Sequence, residues 1–178
     1  LRLGCPALPL QHPMNRGRRL RDAEGMERLR ASSLWERRGV RECANRARGL
    51  CADQATDLSA RALLRDRRFL RDASVCEVGC GTGVLSALAG RLGASRVVGI
   101  DCDPASLRLA RRTAERSGVS VVILKGDLLK GVPKRFDVLV ANLPQKPIPK
   151  GSRVALGQDG GPHGDALLKR FIPQVGQC

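Results

Sequence analysis

The stretch Ser74-Val75-Cys76-Glu77-Val78-Gly79-Cys80-Gly81-Thr82-Gly83-Val84-Leu85-Ser86-Ala87-Leu88 decides how the rest of this 178-residue chain is read. Residues 74–78 form a short, mostly apolar run ending in a glycine loop, which predicts a buried strand. Glycines then fall at alternate positions, where the backbone can turn sharply and approach a ligand closely. Leu85, Leu88 and Leu92 follow on one face of a predicted helix over 84–92, with Gly93 as its stop. A helix that opens directly after such a loop offers free N–H groups to a carboxylate or another anionic group. Val84 stands where the nicotinamide-dinucleotide fingerprint has its third glycine, and Glu77 lies two residues before the first, so the loop departs from that pattern. A tight turn with no ligand is the bland alternative.

Working outward, the chain alternates between the two periodicities. Residues 57–72 carry Leu58, Ala62, Leu63, Phe69 and Leu70 at near-helical spacing, which predicts an amphipathic helix. Residues 96–100 read as a second strand. Asp103 then caps a helix whose first turn holds Pro104, where a missing N–H costs nothing, and Gly118 ends that helix. Strands are predicted over 119–124 and 136–141, and a further helix from 165 to 171. This alternation predicts an α/β fold, a doubly wound parallel sheet with helices on both faces. Ligands of such sheets bind outside the carboxyl ends of the strands.

Polar residues of unusual kind stand at each predicted strand end. Asp101 closes the second strand, 22 residues after Gly79, where a carboxylate can accept both hydroxyls of a ribose. Free ribose hydroxyls occur in several nucleotide cofactors, so Asp101 alone does not choose among them. Gly126-Asp127-Leu128 follows the third strand; Asp127 is placed to accept from an exocyclic adenine amine and Leu128 to pack on the ring, against the alternative of an ordinary turn carboxylate. Asn142-Leu143-Pro144-Gln145 follows the fourth strand. The Asn142 side-chain carbonyl and the Leu143 peptide carbonyl, stiffened by Pro144, form a pair of acceptors able to hold both protons of an NH2 group and turn its lone pair toward a reacting carbon. A proline turn after a strand is the alternative there.

Composition sets the outer bounds. Apolar residues make up 42% and aromatics 2%, with no Tyr, so a globular core must be built from aliphatic side chains. The formal charge is +15, from 32 Lys and Arg against 17 Asp and Glu, which favours polyanions or acidic proteins as partners without fixing either. Seven cysteines with no CxxC pair read as reduced thiols in a cytoplasmic protein, with neither a disulfide framework nor a metal site. His12 and His163 are isolated, and a catalytic role for either lacks a partner. No apolar run is long enough to span a bilayer. Residues 1–50 read as a basic extension, mobile or partly helical, and 51–178 as the ligand-binding domain. The first 21 residues hold several Arg, no acid and prolines at 6, 9 and 13. That pattern suits a transit peptide, or sequence upstream of a start at Met14 or Met26; the second reading is the expectation.

Taken in order, the four motifs resemble the class I S-adenosylmethionine-dependent methyltransferases, from about Asp57 to Phe171. Asn142-Leu143-Pro144-Gln145 resembles the Asn-Pro-Pro-Tyr motif of the amino-methylating branch, and the whole is similar to the small-domain group that includes the release-factor glutamine methyltransferases. The segment Leu156-Gly157-Gln158-Asp159-Gly160-Gly161 resembles the Gly-Gly-x-Asp-Gly stretch of that group. The resemblance implies S-adenosylmethionine as cofactor, its methionine end held by Glu77, Gly79, Cys80, Gly81, Thr82 and Gly83, its ribose by Asp101 and its adenine by Asp127 and Leu128. It implies that Asn142, Leu143, Pro144 and Gln145 hold the target nitrogen, in a protein glutamine or alternatively an RNA base. Leu143 replaces a proline and Gln145 the aromatic of that motif, which leaves a non-catalytic cofactor- or RNA-binding fragment as a further alternative. The resemblance also implies three more strands after the last predicted helix, so the sheet is expected to lack its C-terminal strands.

Overall fold

The computed structural model describes residues 34–45, 50–132, 135–149, 151, 154 and 156–176. The expectations for residues 1–33, including the start site and the transit-peptide alternative, lie outside the described residues. Four parallel strands form one sheet: β1 (Ser74–Val78), β2 (Arg96–Asp101), β3 (Val122–Lys125) and β4 (Val138–Ala141), in the order β3-β2-β1-β4. The helices are α1 (Gln54–Arg65), α2 (Val84–Arg91), α3 (Pro104–Arg116) and α4 (Ala166–Val175). β1 is central, with Cys76 opposite Val98 on one side and Leu139 on the other. The strand order reverses between β1 and β4, which creates a crevice at their carboxyl ends.

Alternation along the central strands sorts the core into two layers. Val75 and Val97 pack with Ala60 and Leu63 of α1 and with Leu85 and Leu88 of α2. Cys76, Val78, Val98 and Ile100 face the other way, onto Leu128, Leu143 and Phe171 of α4. The doubly wound α/β arrangement expected from the sequence is therefore present, and its core is aliphatic as the composition required.

Several boundaries differ from the sequence reading: β3 runs over Val122–Lys125 and not 119–124, β4 begins at Val138 and not 136, and the first and last helices are longer or shifted. The first helix begins at Gln54, ahead of Asp57, because Asp53 caps it by accepting from the Thr56 N–H at 2.9 Å. It ends at Arg65 and passes into a separate 3₁₀ turn over Arg67–Phe69. The last helix runs beyond Phe171 to Val175 and contains Pro173. Packed structure also begins before residue 50. Trp35, Val40 and Cys43 are buried, and the backbone N–H groups of Arg41 and Cys43 donate to Ser117 Oγ (2.8 Å) and Thr113 Oγ1 (2.9 Å) of the α3 end.

Gly83 shows how tightly the glycine loop is fitted. Its φ is +75°, and a Cβ there would lie 2.9 Å from both Cα and Cβ of Ala110 on α3. Left-handed backbone costs a non-glycine residue about 1–2 kcal/mol, and overpacking adds about 1–3 kcal/mol. Gly83→Ala is expected to lower unfolding free energy by about 3 kcal/mol, read as a reduced urea midpoint at unchanged m value.

Candidate functional site

A cleft of about 950 Å³ opens at the carboxyl ends of the strands, within the size range of small-molecule sites. Glu77, Gly79, Cys80, Gly81, Thr82, Asp101, Asp127, Leu128, Asn142, Leu143 and Pro144 all line it. Eleven of the thirteen residues singled out from the sequence thus share one cavity. Gly83 and Gln145 are not among the lining residues. Gly83 serves the packing of the loop on α3, as its contact with Ala110 shows. Gln145 is exposed.

The glycine loop is built by alternating left-handed glycines, with φ +71° at Gly79, +51° at Gly81 and +75° at Gly83. The N–H groups of Gly79 and Cys80 both donate to the Ile100 carbonyl, at 2.8 and 2.9 Å, which pins the loop to the end of β2. A Cβ at Gly81 would meet nothing within 4 Å, so this glycine faces open space in the cleft wall. Asp101 fastens the same loop: its Oδ2 accepts from Gly81 N–H and its Oδ1 from Asp103 N–H, each at 2.9 Å. A carboxylate offers about four lone-pair positions, so each oxygen retains capacity for a hydroxyl donor. Asp103 caps α3 separately, accepting from Ala105 and Ser106, which leaves Asp101 to the cleft.

Glu77 is buried, and its Oε2 accepts from the Ser86 N–H at 2.7 Å and from the Ser86 hydroxyl. The N-cap of α2 is Gly83, which has no side chain to satisfy the helix's first donors. The strand carboxyl supplies that bond across the loop. Burial pushes the Glu77 pKa up to about 8, opposed by the Ser86 hydrogen bonds and assisted by the nearby Asp101 charge. The native state therefore holds a proton on Glu77 that the unfolded chain loses above its ordinary value of 4.5. Folding stability is expected to fall as pH rises from 4.5 to 8 and to level off above, since both states are then ionised. Urea midpoints across that window check this; Glu77→Gln, which keeps an acceptor for Ser86, should flatten the profile. Burial also raises the Cys80 thiol well above its usual range, with Glu77 and Asp101 adding to the effect, so this cysteine is no nucleophile.

Asp127 is held by two cations, of which Arg170 itself lines the cleft. Arg170 of α4 reaches its Oδ1 at 2.7 Å and Lys130 its Oδ2 at 3.2 Å. The Lys130 hydrogen bond first, with Arg170 adding to it, keeps the carboxylate below its ordinary pKa against the opposing effect of desolvation. Leu128, the next residue, has φ +56°, a region in which a branched side chain is strained. Its side chain is buried at the cleft wall.

Leu143 is buried, and its Cδ2 lies only 2.9 Å from where a Cβ on Gly79 would stand. The segment after it is clasped by glycines. Gly160 N–H donates to the Lys146 carbonyl (3.0 Å), Ile148 N–H to the Gly161 carbonyl (2.9 Å), and Gly164 has its Cα face against the Gln145 carbonyl. Asp159 closes that loop by accepting from Gly161 N–H at 2.8 Å and also lines the cleft.

Several cleft residues were not singled out from the sequence. Asp53 and Thr56 at the start of α1 line it, and Asn142 Nδ2 donates to Thr56 Oγ1 at 3.3 Å. Glu42 lies behind the wall, where its Oε1 accepts from Ala52 N–H (2.6 Å) and from the Thr82 hydroxyl (3.1 Å). Asp53 and Thr56 carry the local signal of a helix N-cap, but no spacing pattern marks the Asn142–Thr56 or Glu42–Thr82 contacts, whose partners lie far apart along the chain.

Residues 47–150, more than half of the chain, match the family of ribosomal protein L11 methyltransferases (PrmA). The chain belongs to that family. The relatives agree. A protein of Methanocaldococcus jannaschii provisionally named protein N5-glutamine methyltransferase is 32% identical over 117 residues, covering 64% of this chain and 59% of that protein. The ribosomal protein L11 methyltransferase of Thermosipho africanus is 42% identical over 89 residues, 49% of this chain and 33% of the relative. The crystal structure of a ribosomal protein L11 methylase from Lactobacillus delbrueckii subsp. bulgaricus superposes with a TM-score of 0.55 at 26% identity, over 71% of this chain and 55% of that one. The chain thus spans from about a quarter to somewhat over half the length of the relatives it matches. Its fold is that of the S-adenosylmethionine-dependent methyltransferases, as the motifs led one to expect. Among the described residues of this PrmA-family chain, no helix is long and apolar enough to cross a membrane.

Proposed function

We propose that this chain binds S-adenosylmethionine in the strand-end cleft and directs its methyl group to a planar nitrogen, that of a protein glutamine amide. The observation that supports the reading is the convergence of Glu77, Gly81, Asp101, Asp127 and Asn142 on one cavity of suitable size. The cleft fits the cofactor by its chemistry. An open glycine at position 81 lets a ligand come close to backbone, Asp101 has acceptor capacity for a diol, and Leu128 offers an apolar shelf beside Asp127.

The bound cofactor supplies an electrophilic methyl group on a good leaving group, so the protein's task is alignment and exclusion of water. Gly79, Cys80 and Gly81 form the backbone cradle, with Glu77 and Thr82 at the methionine end. Asp101 takes the ribose hydroxyls, and Asp127 with Leu128 the adenine. Asn142 accepts from the target NH2 through Oδ1 and is assisted by the Leu143 carbonyl, which turns the nitrogen lone pair toward the methyl group. Pro144 stiffens that segment. Gln145, exposed and outside the described cleft wall, takes no part in stacking on the target. No nucleophilic side chain is required, in keeping with the raised Cys80 thiol.

Transfer from radiolabelled S-adenosylmethionine to fractionated ribosomal and soluble proteins tests the reading. Label is expected on a glutamine amide nitrogen; label confined to oxygen or carbon would overturn it. The net charge of +15 favours a second reading, an RNA base as acceptor. Phosphate contacts release counterions, so RNA-dependent activity is expected to fall by about 10³-fold or more between 50 and 200 mM salt if six or more phosphates are held. A protein acceptor bound through few charges would show a much shallower loss.

A further inference from the structure

The Asn142 amide is the part of the site whose orientation matters most, because its two ends have opposite hydrogen-bonding character. Only the carbonyl end can hold a target NH2, and a 180° flip would present a second donor instead. Something must therefore distinguish the ends. The Nδ2 of Asn142 donates to Thr56 Oγ1 at 3.3 Å, across 86 residues of chain. The Thr56 hydroxyl in turn donates to Asp53 Oδ1 at 2.9 Å. Asp53 is itself fixed, since the same Oδ1 accepts the Thr56 backbone N–H at 2.9 Å as the N-cap of α1.

A hydroxyl has one proton, and an ionised carboxylate can only accept. With that proton committed to Asp53, Thr56 Oγ1 presents lone pairs alone to Asn142. The NH2 end satisfies them, whereas a flipped amide would set two lone-pair-bearing oxygens against each other. We propose that Thr56, polarised by the helix-capping Asp53, is the positioning residue that holds the Asn142 amide with Nδ2 toward α1 and Oδ1 available to the methyl acceptor. The cap thus does two jobs: it starts α1 and sets the direction of a side chain just past the end of β4. This inference rests on the N-methyl-transfer reading for its catalytic meaning, while the orientation itself stands on the hydrogen bonds.

The test compares Thr56→Val, which keeps the shape and removes the hydroxyl, with Thr56→Ser, which keeps the hydroxyl, and with Asp53→Ala. The side-chain amide pair of Asn142, assigned by its loss in Asn142→Ala, is followed by ¹⁵N NMR on the full chain with S-adenosylhomocysteine present. One amide proton is expected to be downfield and slow to exchange in wild type and Thr56→Ser. In Thr56→Val, and in Asp53→Ala, the pair should move toward free-amide values. With labelled S-adenosylmethionine and the fraction that wild type methylates, Thr56→Val should lower kcat about tenfold with KM for the cofactor unchanged, and Thr56→Ser should restore it. An amide pair indifferent to Thr56→Val overturns the proposal, as does full kcat in that variant. If wild type methylates no fraction, the N-methyl-transfer reading fails, and the amide pair alone then upholds or overturns the positioning role.

Discussion

Alanine at position 142 is expected to lower kcat for methyl transfer by about a hundredfold or more, with the Kd for S-adenosylmethionine changed by no more than about twofold. The asymmetry follows from where Asn142 stands. It follows directly after β4, on the far side of central β1 from β2 and β3, and belongs to the motif assigned to the target, not the cofactor. Removing its carbonyl leaves the cofactor's proposed contacts with the glycine loop, Asp101 and Asp127 untouched. What is lost is the restraint on the attacking lone pair, and misalignment of about 1 Å can cost on the order of 10²-fold in rate. Single-turnover rates and calorimetry on the same preparation separate the two quantities. A matching loss of cofactor affinity would place Asn142 in the cofactor pocket and remove its proposed role; an unchanged rate would do the same from the other side.

The second large effect is expected at Asp101. Asp101→Ala should raise the Kd for S-adenosylmethionine about a hundredfold, from the loss of hydrogen bonds to a charged acceptor at about 1.5–3 kcal/mol each. Part of that arises indirectly. Asp101 also holds Gly81 N–H at 2.9 Å, so its removal slackens the loop as well as the ribose contact. Asp101→Asn retains one acceptor and should fall between the two. Titration calorimetry with S-adenosylmethionine, and with NAD as a control, decides the matter. Equal affinity of wild type and Asp101→Ala would sink the assignment, and tight NAD binding by wild type would redirect it to a dehydrogenase.

Much of the fold could be read from local pattern. Alternation between strand and helix periods marked all four strands, and Pro104 behind Asp103 marked the start of α3 within a residue. The tips of parallel strands necessarily gather at one end, so motifs that follow strands fell together in the cleft. Pattern failed where the partner is remote. Asn142 and Thr56 lie 86 residues apart, and Glu42 and Thr82 40 apart. Neither pair has a spacing signature, because which side chains meet depends on how α1 and the segment before it settle on the sheet. Gly83 illustrates a subtler limit. A left-handed glycine in a glycine-rich loop looks the same in sequence whether its bare face meets a ligand or a helix, and here it meets Ala110. Asp127 was legible as a carboxylate at a strand end, but not its engagement by Arg170, which comes from a helix 43 residues on.

The Glu42 carboxylate carries one further consequence. A single oxygen, Oε1, grips both the backbone at Ala52 and the hydroxyl of Thr82, so the approach to α1 and the glycine loop are stapled together at one rim. Prising that rim apart would forfeit both bonds in the same stroke. Replacing the Glu42 carboxylate would therefore release the approach to α1 and the glycine loop together.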